Sequence, residues 1–462
     1  MLMTSALGRE RMYGLCVVLL GCLFFAVRGY QDQTLALHSR DFKPVYAGAR
    51  CLIDGCDPYD TTVLQRTFVQ HGGDLSDRVP FVRFNATYPP SALFLVTPLA
   101  LLPFGLANEL WLGIGIVLFC GAAWCMADLC CGRRALVVEC VLAAFVATST
   151  MLIMVGQPAM ISVSLVIFAV WCFLRHRFIA LGIIAFAISL VIKPQIGALL
   201  WLFFFLASHS GSMAAATEQK TRTGFAWTYR RLALCVLAAT LVLMVPGIVL
   251  AFHQPSSADW PKELHANLEG IAAHGNFCDP GPSNPDAPSI ANVQTVLSLV
   301  RDVPSFYNAV AVALFVPLLL LWLYGVMRPI RDPYRLLTRG TGITVSGARD
   351  LLALAAAAAL GFLPIYHRQY DTRLLLLMFP AVALLASSKR WVGLAAVVLS
   401  ILAAVTTSHQ FEHVGPWMAG RGFQLRGLLW LGFYRPLPLT LLVVSCFFVY
   451  ALLRVDDRDA EA

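Results

Sequence analysis

The chain has 462 residues, of which 58% are hydrophobic and 13% are charged, and its formal net charge is +8 at pH 7. A soluble domain with this share of hydrophobic residues would need more charged residues to cover its surface. The composition therefore excludes an ordinary soluble protein and predicts an integral membrane protein. The positive charge does not indicate nucleic-acid binding, because the basic residues cluster in short loops between apolar runs. That distribution is typical of the cytoplasmic side of a polytopic membrane protein.

Apolar runs recur along nearly all of the sequence and predict one all-α polytopic membrane domain over residues 1–462. When five basic loops and both termini are assigned to the cytoplasm, about 12 transmembrane helices must connect them. Their approximate bounds are 13–30, 105–128, 135–155, 158–174, 178–192, 195–207, 232–252, 306–327, 350–366, 372–388, 391–405 and 435–453. The first run lacks a small-x-small cleavage site, so we expect a retained helix and not a signal peptide.

The run at 91–103 is enclosed by prolines and does not fit this threading as a crossing. Counting it as a full span would move the basic loop at Arg133 and Arg134 to the outside. We therefore interpret it as a re-entrant or interfacial helix, with a full span as the alternative.

The threading places the polar segments of the sequence on one face of the membrane. A first loop at about 28–90 and a second at about 253–305 lie there, together with the turns at Gly156, Lys193 and Tyr366. Only the basic residues of short loops were used to assign the faces. We therefore expect a multi-pass protein of the cell membrane whose extracytoplasmic loops carry the active site.

The first loop contains the segment DFKPVYAGARCLIDGCDPYD, which begins at Asp41. A partly desolvated carboxylate flanked by cations is suited to act as a general base, although a solvated loop carboxylate is the alternative for Asp41. Tyr46 lies on the same short amphipathic stretch and is expected to contact substrate. Cys51 and Cys56 share this loop, and the sequence leaves open whether they form a disulfide.

Neutral polar groups occur at two further points on the same face. Tyr88 precedes two prolines, which either fix a rigid break before the next helix or hold the ring against a substrate. Gln157, in the segment VGQPA, either caps a helix end or binds sugar hydroxyls. We expect both residues to contribute to substrate binding.

Cations occur at two turns between apolar helices. Lys193, in LVIKPQIGALLW, either extends to the interface or meets an anion. The segment FLPIYHRQYDTRLLLL holds His367, Arg368 and Asp371 at a membrane boundary, where ionisable groups are costly unless they pair or bind a ligand. We expect Lys193, Arg368 and His367 to bind a phosphate and Asp371 to contact substrate, with a structural Arg–Asp pair as the alternative.

A carboxylate base, a cationic set and amide groups at one membrane interface together predict glycosyl transfer from a lipid-phosphate sugar. The same segments, from about Asp41 to Asp371 and including TYPPSALFLVTPLALLP and VIKPQIGALLWLFFFL, occur in an order and spacing that resembles glycosyltransferase family 87. The resemblance implies a GT-C-like bundle and a polyprenyl-phosphate-sugar-dependent enzyme of the mannosyltransferase type. Family members of that type use an Asp of the first outer loop as catalytic base, and Asp41 occupies the matching position.

The implied reaction is an inverting transfer of a hexose, mannose by the habit of the family, to a lipid or glycan acceptor. We expect no cofactor, no metal and no nucleic-acid partner, because a polyprenyl-phosphate donor needs no nucleotide-sugar site and no DxD-type acidic cluster is present. The alternative is a transporter or flippase of lipid-linked sugars, although internal repeats and mid-membrane polar groups are not evident. A ligase that uses a diphosphate lipid donor is a third candidate.

Overall fold

The computed structural model describes residues 6–34, 39–76, 87–130, 134–207, 227–329, 344–387, 390–409 and 432–455, together with 411, 414, 417 and 421. Within these ranges every regular element is a helix, and the strand-type pairing between two described residues is an isolated bridge of Ile290 with Arg368. The expected all-α architecture is therefore confirmed.

Eighteen of the helices form the framework needed below. They are α1 (Ala6–Asp32), α2 (Phe42–Asp54), α3 (Thr61–Gln70), α4 (Pro90–Ala100), α5 (Phe104–Leu129), α6 (Ala135–Ala147), α7 (Met151–Met154), α8 (Pro158–Arg175), α9 (Ile179–Ile192), α10 (Pro194–Leu206), α11 (Tyr229–His253), α12 (Trp260–Ala272), α13 (Gln294–Val300), α14 (Pro304–Met327), α15 (Val345–Leu360), α16 (Phe379–Ala386), α17 (Arg390–Thr406) and α18 (Pro436–Leu453). Three 3₁₀ helices lie at Pro255–Ser257, Ala287–Ser289 and Gln369–Met378.

The apolar runs predicted to cross the membrane are helical over most of their length. Of the described helices, seven stretches are long and apolar enough to cross, which makes this a multi-pass membrane protein. They are Glu10–Asp32, Phe104–Leu129, Ala135–Met154, Tyr229–His253, Pro304–Met327, Gln369–Ala386 and Pro436–Leu453. The other predicted spans, such as α9 and α10, do not meet that requirement, so 12 crossings stay a prediction. With 11 residues, α4 is too short to cross as one straight helix, which needs about 20 residues.

A hairpin made of α15 and the segment 369–386 lies at the centre of the bundle. Every residue of α15, of the 3₁₀ helix Gln369–Met378 and of α16 is buried. Small side chains let neighbouring helices approach closely, and α15 is largely alanine. The turn of this hairpin is hydrogen-bonded to the second predicted outer loop, since Ala291 donates its N–H to the carbonyl of His367 at 2.8 Å.

The first predicted outer loop folds onto the bundle as α2 and α3. The glycine that ends α2, Gly55, has the left-handed φ of 74° that favours this residue, and its N–H donates to the carbonyl of Cys51. Cys51 and Cys56 are joined in a disulfide just at this end. The structure thus answers the question that the sequence left open, and it leaves the other end of α2, at Asp41, facing the bundle.

Candidate functional site

A cavity of about 340 Å³ lies where the predicted outer segments meet. Asp41, Tyr88, Gln157 and Lys193 all line it, although they are far apart in the sequence. The other lining residues are Pro44, Val45, Thr87, Pro89, Leu93, Ile192, Pro194, Gln195, Leu264, Leu268, Ile271, Phe277, Cys278, Tyr366 and Tyr370. The lining therefore contains both polar and apolar side chains.

The backbone at Asp41 is fixed by the turn that precedes α8. Asp41 donates its N–H to the carbonyl of Val155 at 2.8 Å, and Ser39 donates to that of Met154 at 3.3 Å. Gly156 has a φ of +62°, and a Cβ at this position would lie 2.8 Å from that of Ser39. Glycine is needed here both for its backbone angle and for the close approach of the two segments.

The Asp41 side chain is only 10% exposed, and its two oxygens have different surroundings. Oδ2 accepts a hydrogen bond of 2.7 Å from Nε2 of Gln157. Oδ1 has no hydrogen-bond partner among the described residues, and Nε of Arg40 is 3.6 Å from it. Burial raises the pKa of Asp41, and this effect is opposed by Arg40, Arg368 and Lys193 and reinforced by Asp371. A carboxyl with a raised pKa is a stronger base once it is ionised.

Lys193 is held at the edge of the cavity by Asp371. It lies between α9 and α10, where Pro194 occupies the first position of α10 and has no N–H to leave unsatisfied. Its Nζ donates to Oδ1 of Asp371 at 2.6 Å and lies 5.2 Å from the centre of the Tyr370 ring. An ammonium has three donors, so the bond to Asp371 leaves others for a ligand in the cavity.

His367 lies behind Lys193 and does not line the cavity. Its Nδ1 is 3.2 Å from Oδ2 of Asp371, which also accepts the backbone N–H of Arg368 at 3.1 Å. Because an ionised carboxylate only accepts, Nδ1 of His367 carries the proton, and Nε2 has no hydrogen-bond partner among the described residues. Burial lowers the pKa of His367, against the opposing effect of Asp371, so the ring is neutral at pH 7.

Arg368 is also buried behind the cavity wall. Its guanidinium donates to the hydroxyl oxygens of Tyr366 and Ser289 and, at 2.6 Å, to the carbonyl of Phe277. It also stacks on the Phe277 ring, with Cζ 3.3 Å from the ring centre. We expected His367 and Arg368 to contact a phosphate directly, but neither lies on the cavity surface. Arg368 contacts two residues that line it, Tyr366 and Phe277, whereas His367 contacts Asp371, the partner of Lys193. Phosphate binding by His367 and Arg368 stays a prediction.

Tyr46 also lies outside the cavity. Its hydroxyl donates to the carbonyl of Leu102 at 2.6 Å, and its ring packs edge-on against the rings of Phe68 and Phe104. Tyr46 does not line the cavity but anchors α2 to the segment before α5, and its contact with substrate stays a prediction. Its amphipathic helix was correctly recognised, but the sequence does not indicate which face meets the bundle.

Arg373 has a structural environment distinct from that of its neighbours Arg368 and Asp371. It is 1% exposed and donates to the carbonyl of Thr148 at 3.1 Å and to the hydroxyl and carbonyl of Thr407. These acceptors lie at the C-terminal ends of α6 and α17, where the helix dipole favours a cation. Arg373 therefore ties helix ends together.

Several cavity residues were not singled out from the sequence. Tyr366 and Tyr370 flank His367 and Arg368, which were singled out. Arg40, which directly precedes Asp41 but does not line the cavity, was not singled out either. Leu264, Leu268 and Ile271 lie on α12 at helical spacing and form one apolar wall. This helical spacing is the feature of the sequence from which the apolar face of α12 could have been predicted. Cys278 and Phe277 have no such signal, because only the fold brings their loop to the cavity.

Among the residues that the structure describes, no group of three or more His, Cys, Asp or Glu side chains is placed to hold a metal ion. The polar side of the cavity offers a buried carboxylate, an ammonium and an amide. Such groups are suited to accept a proton, to face an anion and to bind hydroxyls.

Comparisons with known proteins give one solved structure of interest, the archaeal oligosaccharyltransferase AglB from Archaeoglobus fulgidus in complex with an inhibitory peptide and a dolichol-phosphate. Sequence identity is 14%, the TM-score is 0.27, and the alignment covers 96% of this chain and 56% of that one. This chain thus spans little more than half the length of AglB, and a TM-score of this size supports no conclusion about fold or function. No curated protein sequence matched.

The sequence model of glycosyltransferase family 87 matches residues 86–345. That range includes Tyr88, Gln157 and Lys193 of the cavity, as well as α12. Because it spans more than half of the 462 residues, the chain belongs to glycosyltransferase family 87 and is a membrane glycosyltransferase.

Proposed function

We propose that this enzyme moves a hexose, with mannose favoured, from a polyprenyl-phosphate sugar to a hydroxyl of a lipid-linked or glycan acceptor. The anomeric carbon inverts, and Asp41 is the general base. The observation that carries the proposal is the buried Asp41 carboxylate, which shares one cavity with Lys193 and has one oxygen without a hydrogen-bond partner among the described residues.

The base must take a proton from the acceptor hydroxyl as its oxygen attacks the anomeric carbon. The carbon–oxygen bond to the phosphate breaks in the same step, and polyprenyl phosphate leaves with the bonding electrons. Burial suits Asp41 to this task because it raises the pKa of the carboxyl, while the nearby cations keep the ionised form accessible. Phosphate is already a fair leaving group, so no general acid is required.

The charges around the cavity suit a phosphate. Arg40, Lys193 and Arg368 are opposed by Asp41 and Asp371, and His367 is neutral, which leaves one net positive charge among these described residues. A sugar phosphodiester carries one negative charge and gains more as it leaves. Lys193, oriented by Asp371, is placed to face that developing charge. Asp371 contributes through Lys193, and Tyr88 and Gln157 line the same cavity.

The apolar side of the cavity suits the lipid part of the donor. Leu93, Ile192, Leu264 and Leu268 face the same space as the charged groups. A free sugar or a nucleotide sugar would gain little from such a wall, whereas a polyprenyl chain would bury apolar surface against it.

We place the site on the extracytoplasmic face, with the first and second outer loops at about 28–90 and 253–305. The disulfide between Cys51 and Cys56 supports this side, because disulfides persist in oxidising compartments. The basic loops assigned to the cytoplasm support it independently.

The test is an Asp41→Asn variant assayed in detergent or liposomes with polyprenyl-phosphate mannose and candidate acceptors. A positioned base contributes about 10²–10⁴ in rate, so we expect turnover to fall by at least about 100-fold at near-normal expression. Asp54→Asn is the matched control, since Asp54 lies at the far end of α2 in a partly exposed pair with Arg50. Full activity of Asp41→Asn would contradict the assignment.

The same assay separates the enzyme from a carrier. Labelled mannose should appear covalently on the acceptor with inverted stereochemistry. Movement of intact donor across a liposome bilayer, with no product formed by the wild-type protein, would favour a transporter. Product from diphosphate donors alone would favour a ligase.

A further inference from the structure

Three residues from separate segments form a chain of hydrogen bonds that ends on the proposed base. The Tyr88 hydroxyl donates to Oε1 of Gln157 at 3.2 Å, and Nε2 of Gln157 donates to Oδ2 of Asp41 at 2.7 Å. Gln157 is only 3% exposed. An amide buried this deeply, with both ends engaged by protein, has little freedom to reorient toward a ligand.

The orientation of the amide follows from its partners. The backbone N–H of Ala159 can only donate, and it lies 3.4 Å from the atom assigned as Oε1 of Gln157. An ionised carboxylate can only accept, so the atom that faces Asp41 must be the nitrogen. Both ends of the side chain therefore require the same assignment, with the N–H₂ group directed at Asp41.

The backbone reinforces this arrangement. Gln157 is the N-cap of α8, and the residues just before it accept the N–H groups of Ser39 and Asp41. Trp111 donates its indole N–H to the carbonyl of Gly156 at 2.9 Å and stacks on Phe42, with ring centres 4.5 Å apart. Asp41 and Gln157 are thus held by one rigid unit.

The consequence for the carboxylate is that its two oxygens are no longer equivalent. Oδ2 is occupied by Gln157, whereas Oδ1 has no hydrogen bond among the described residues. A general base must be held in a defined geometry to take a proton efficiently. Oδ1 is therefore the oxygen whose hydrogen-bonding capacity is not already used, with Nε of Arg40 3.6 Å away.

We propose that Gln157 is a positioning residue that holds Asp41 by Oδ2 and so directs Oδ1 at the acceptor hydroxyl, with Tyr88 orienting the amide. This rests on the proposed function and deepens it. It differs from the role in sugar binding that the sequence alone suggested for Gln157. The two roles make opposite kinetic predictions, because loss of a substrate contact raises KM, whereas loss of base geometry lowers kcat.

The experiment compares wild type with Gln157→Met, which keeps the length of the side chain but cannot donate to Asp41. With polyprenyl-phosphate mannose as donor, we expect kcat to fall about 10- to 100-fold while KM for donor and acceptor changes by less than about twofold. The lost hydrogen bond stabilised the ionised carboxylate, so the acid limb of the kcat/KM profile should move to higher pH. Arg40, Lys193, Arg368 and Asp371, whose charges also act on Asp41, are unchanged in this variant.

Gln254→Met is the matched control. Gln254 donates its amide to the carbonyl of Leu52 at 2.7 Å, at the other end of α2, and does not line the cavity. Its kcat and its pH profile should match those of the wild type. Tyr88→Phe provides a second test if Gln157→Met does not fold, with an expected loss of about 2- to 10-fold in kcat in the same direction.

A rise in KM with unchanged kcat in Gln157→Met would overturn the positioning role in favour of substrate binding. Wild-type kinetics in that variant would overturn it as well. If the wild-type protein itself transfers no mannose from the polyprenyl-phosphate donor, the proposed function is overturned and this inference with it.

Discussion

At the scale of single residues, Gly156 determines whether Asp41 can reach the cavity. Its φ of +62° is strained for any residue with a Cβ, and a Cβ would lie 2.8 Å from that of Ser39 and 3.1 Å from that of Phe42. The left-handed backbone alone costs about 1–2 kcal/mol for alanine. We expect Gly156→Ala to lower the thermal midpoint of unfolding and to reduce the rate of sugar transfer. The loss of transfer rate should be the larger effect, because residues 39–42, which include Asp41, must move away from the new Cβ.

Gly121→Ala is the control for this prediction. Gly121 lies within α5, and no atom lies within 4 Å of a Cβ built there, so alanine should be neutral or slightly stabilising. Thermal unfolding in detergent and mannose transfer would be measured for both variants. Equal activity of the two alanine variants would show that the position of Asp41 does not depend on Gly156.

The sequence predicted the chemistry of individual residues better than their orientation. Asp41 and Lys193 stand out because ionisable groups are costly at a membrane boundary, and both do line the cavity. Arg368 has the same signal, but its guanidinium is directed into the second outer loop, and only the fold determines that direction. The sequence leaves the direction of Tyr46 open for the same reason, since an aromatic ring with a hydroxyl suits both a site and a core.

At the scale of elements, α12 supplies part of the apolar wall. Leu264 and Leu268 line the cavity, whereas His265 and Glu269 on the opposite side of the helix are at least 70% exposed. If these leucines contact the lipid tail of the donor, the binding free energy that they contribute should increase with the length of the tail. We expect the double change Leu264→Ser and Leu268→Ser to lower the ratio of kcat/KM for a long-chain donor over a short-chain donor by about 10-fold.

A double change of His265 and Glu269 to Ser is the matched control, because these residues form an exposed pair that faces away from the cavity. The long-to-short ratio should stay at the wild-type value in this control. If the ratio of kcat/KM values is also unchanged in the leucine variant, the lipid tail of the donor does not bind against α12.

The helices themselves were predictable, because apolar runs of this length leave few alternatives in a membrane. Which of them cross was less predictable. Helices such as α9 and α10 have 14 and 13 residues, so their depth depends on neighbours and not on their own length. The hairpin of α15 and 369–386 shows the same effect, since its complete burial is a property of the bundle and not of its own pattern.

At the scale of the whole molecule, the proposal requires the cavity and the basic loops to lie on opposite sides of the membrane. Lys262 lies on α12 beside the cavity, and Arg177 lies between α8 and α9 in one of the five basic loops assigned to the cytoplasm. Both have exposed side chains. Single Lys262→Cys and Arg177→Cys variants should therefore behave differently toward a membrane-impermeant maleimide. In intact cells we expect labelling above the wild-type background at position 262 only, with labelling at 177 after lysis.

The disulfide allows an independent test of the same membrane topology. If the first outer loop faces an oxidising compartment as proposed, Cys51 and Cys56 should resist alkylation in freshly isolated membranes until a reductant is added. Labelling at 177 in intact cells, or free thiols at Cys51 and Cys56, would place the cavity on the cytoplasmic side. Donor and acceptor would then have to be presented from the cytoplasm, and the extracytoplasmic site proposed here would be wrong even if Asp41 were the base.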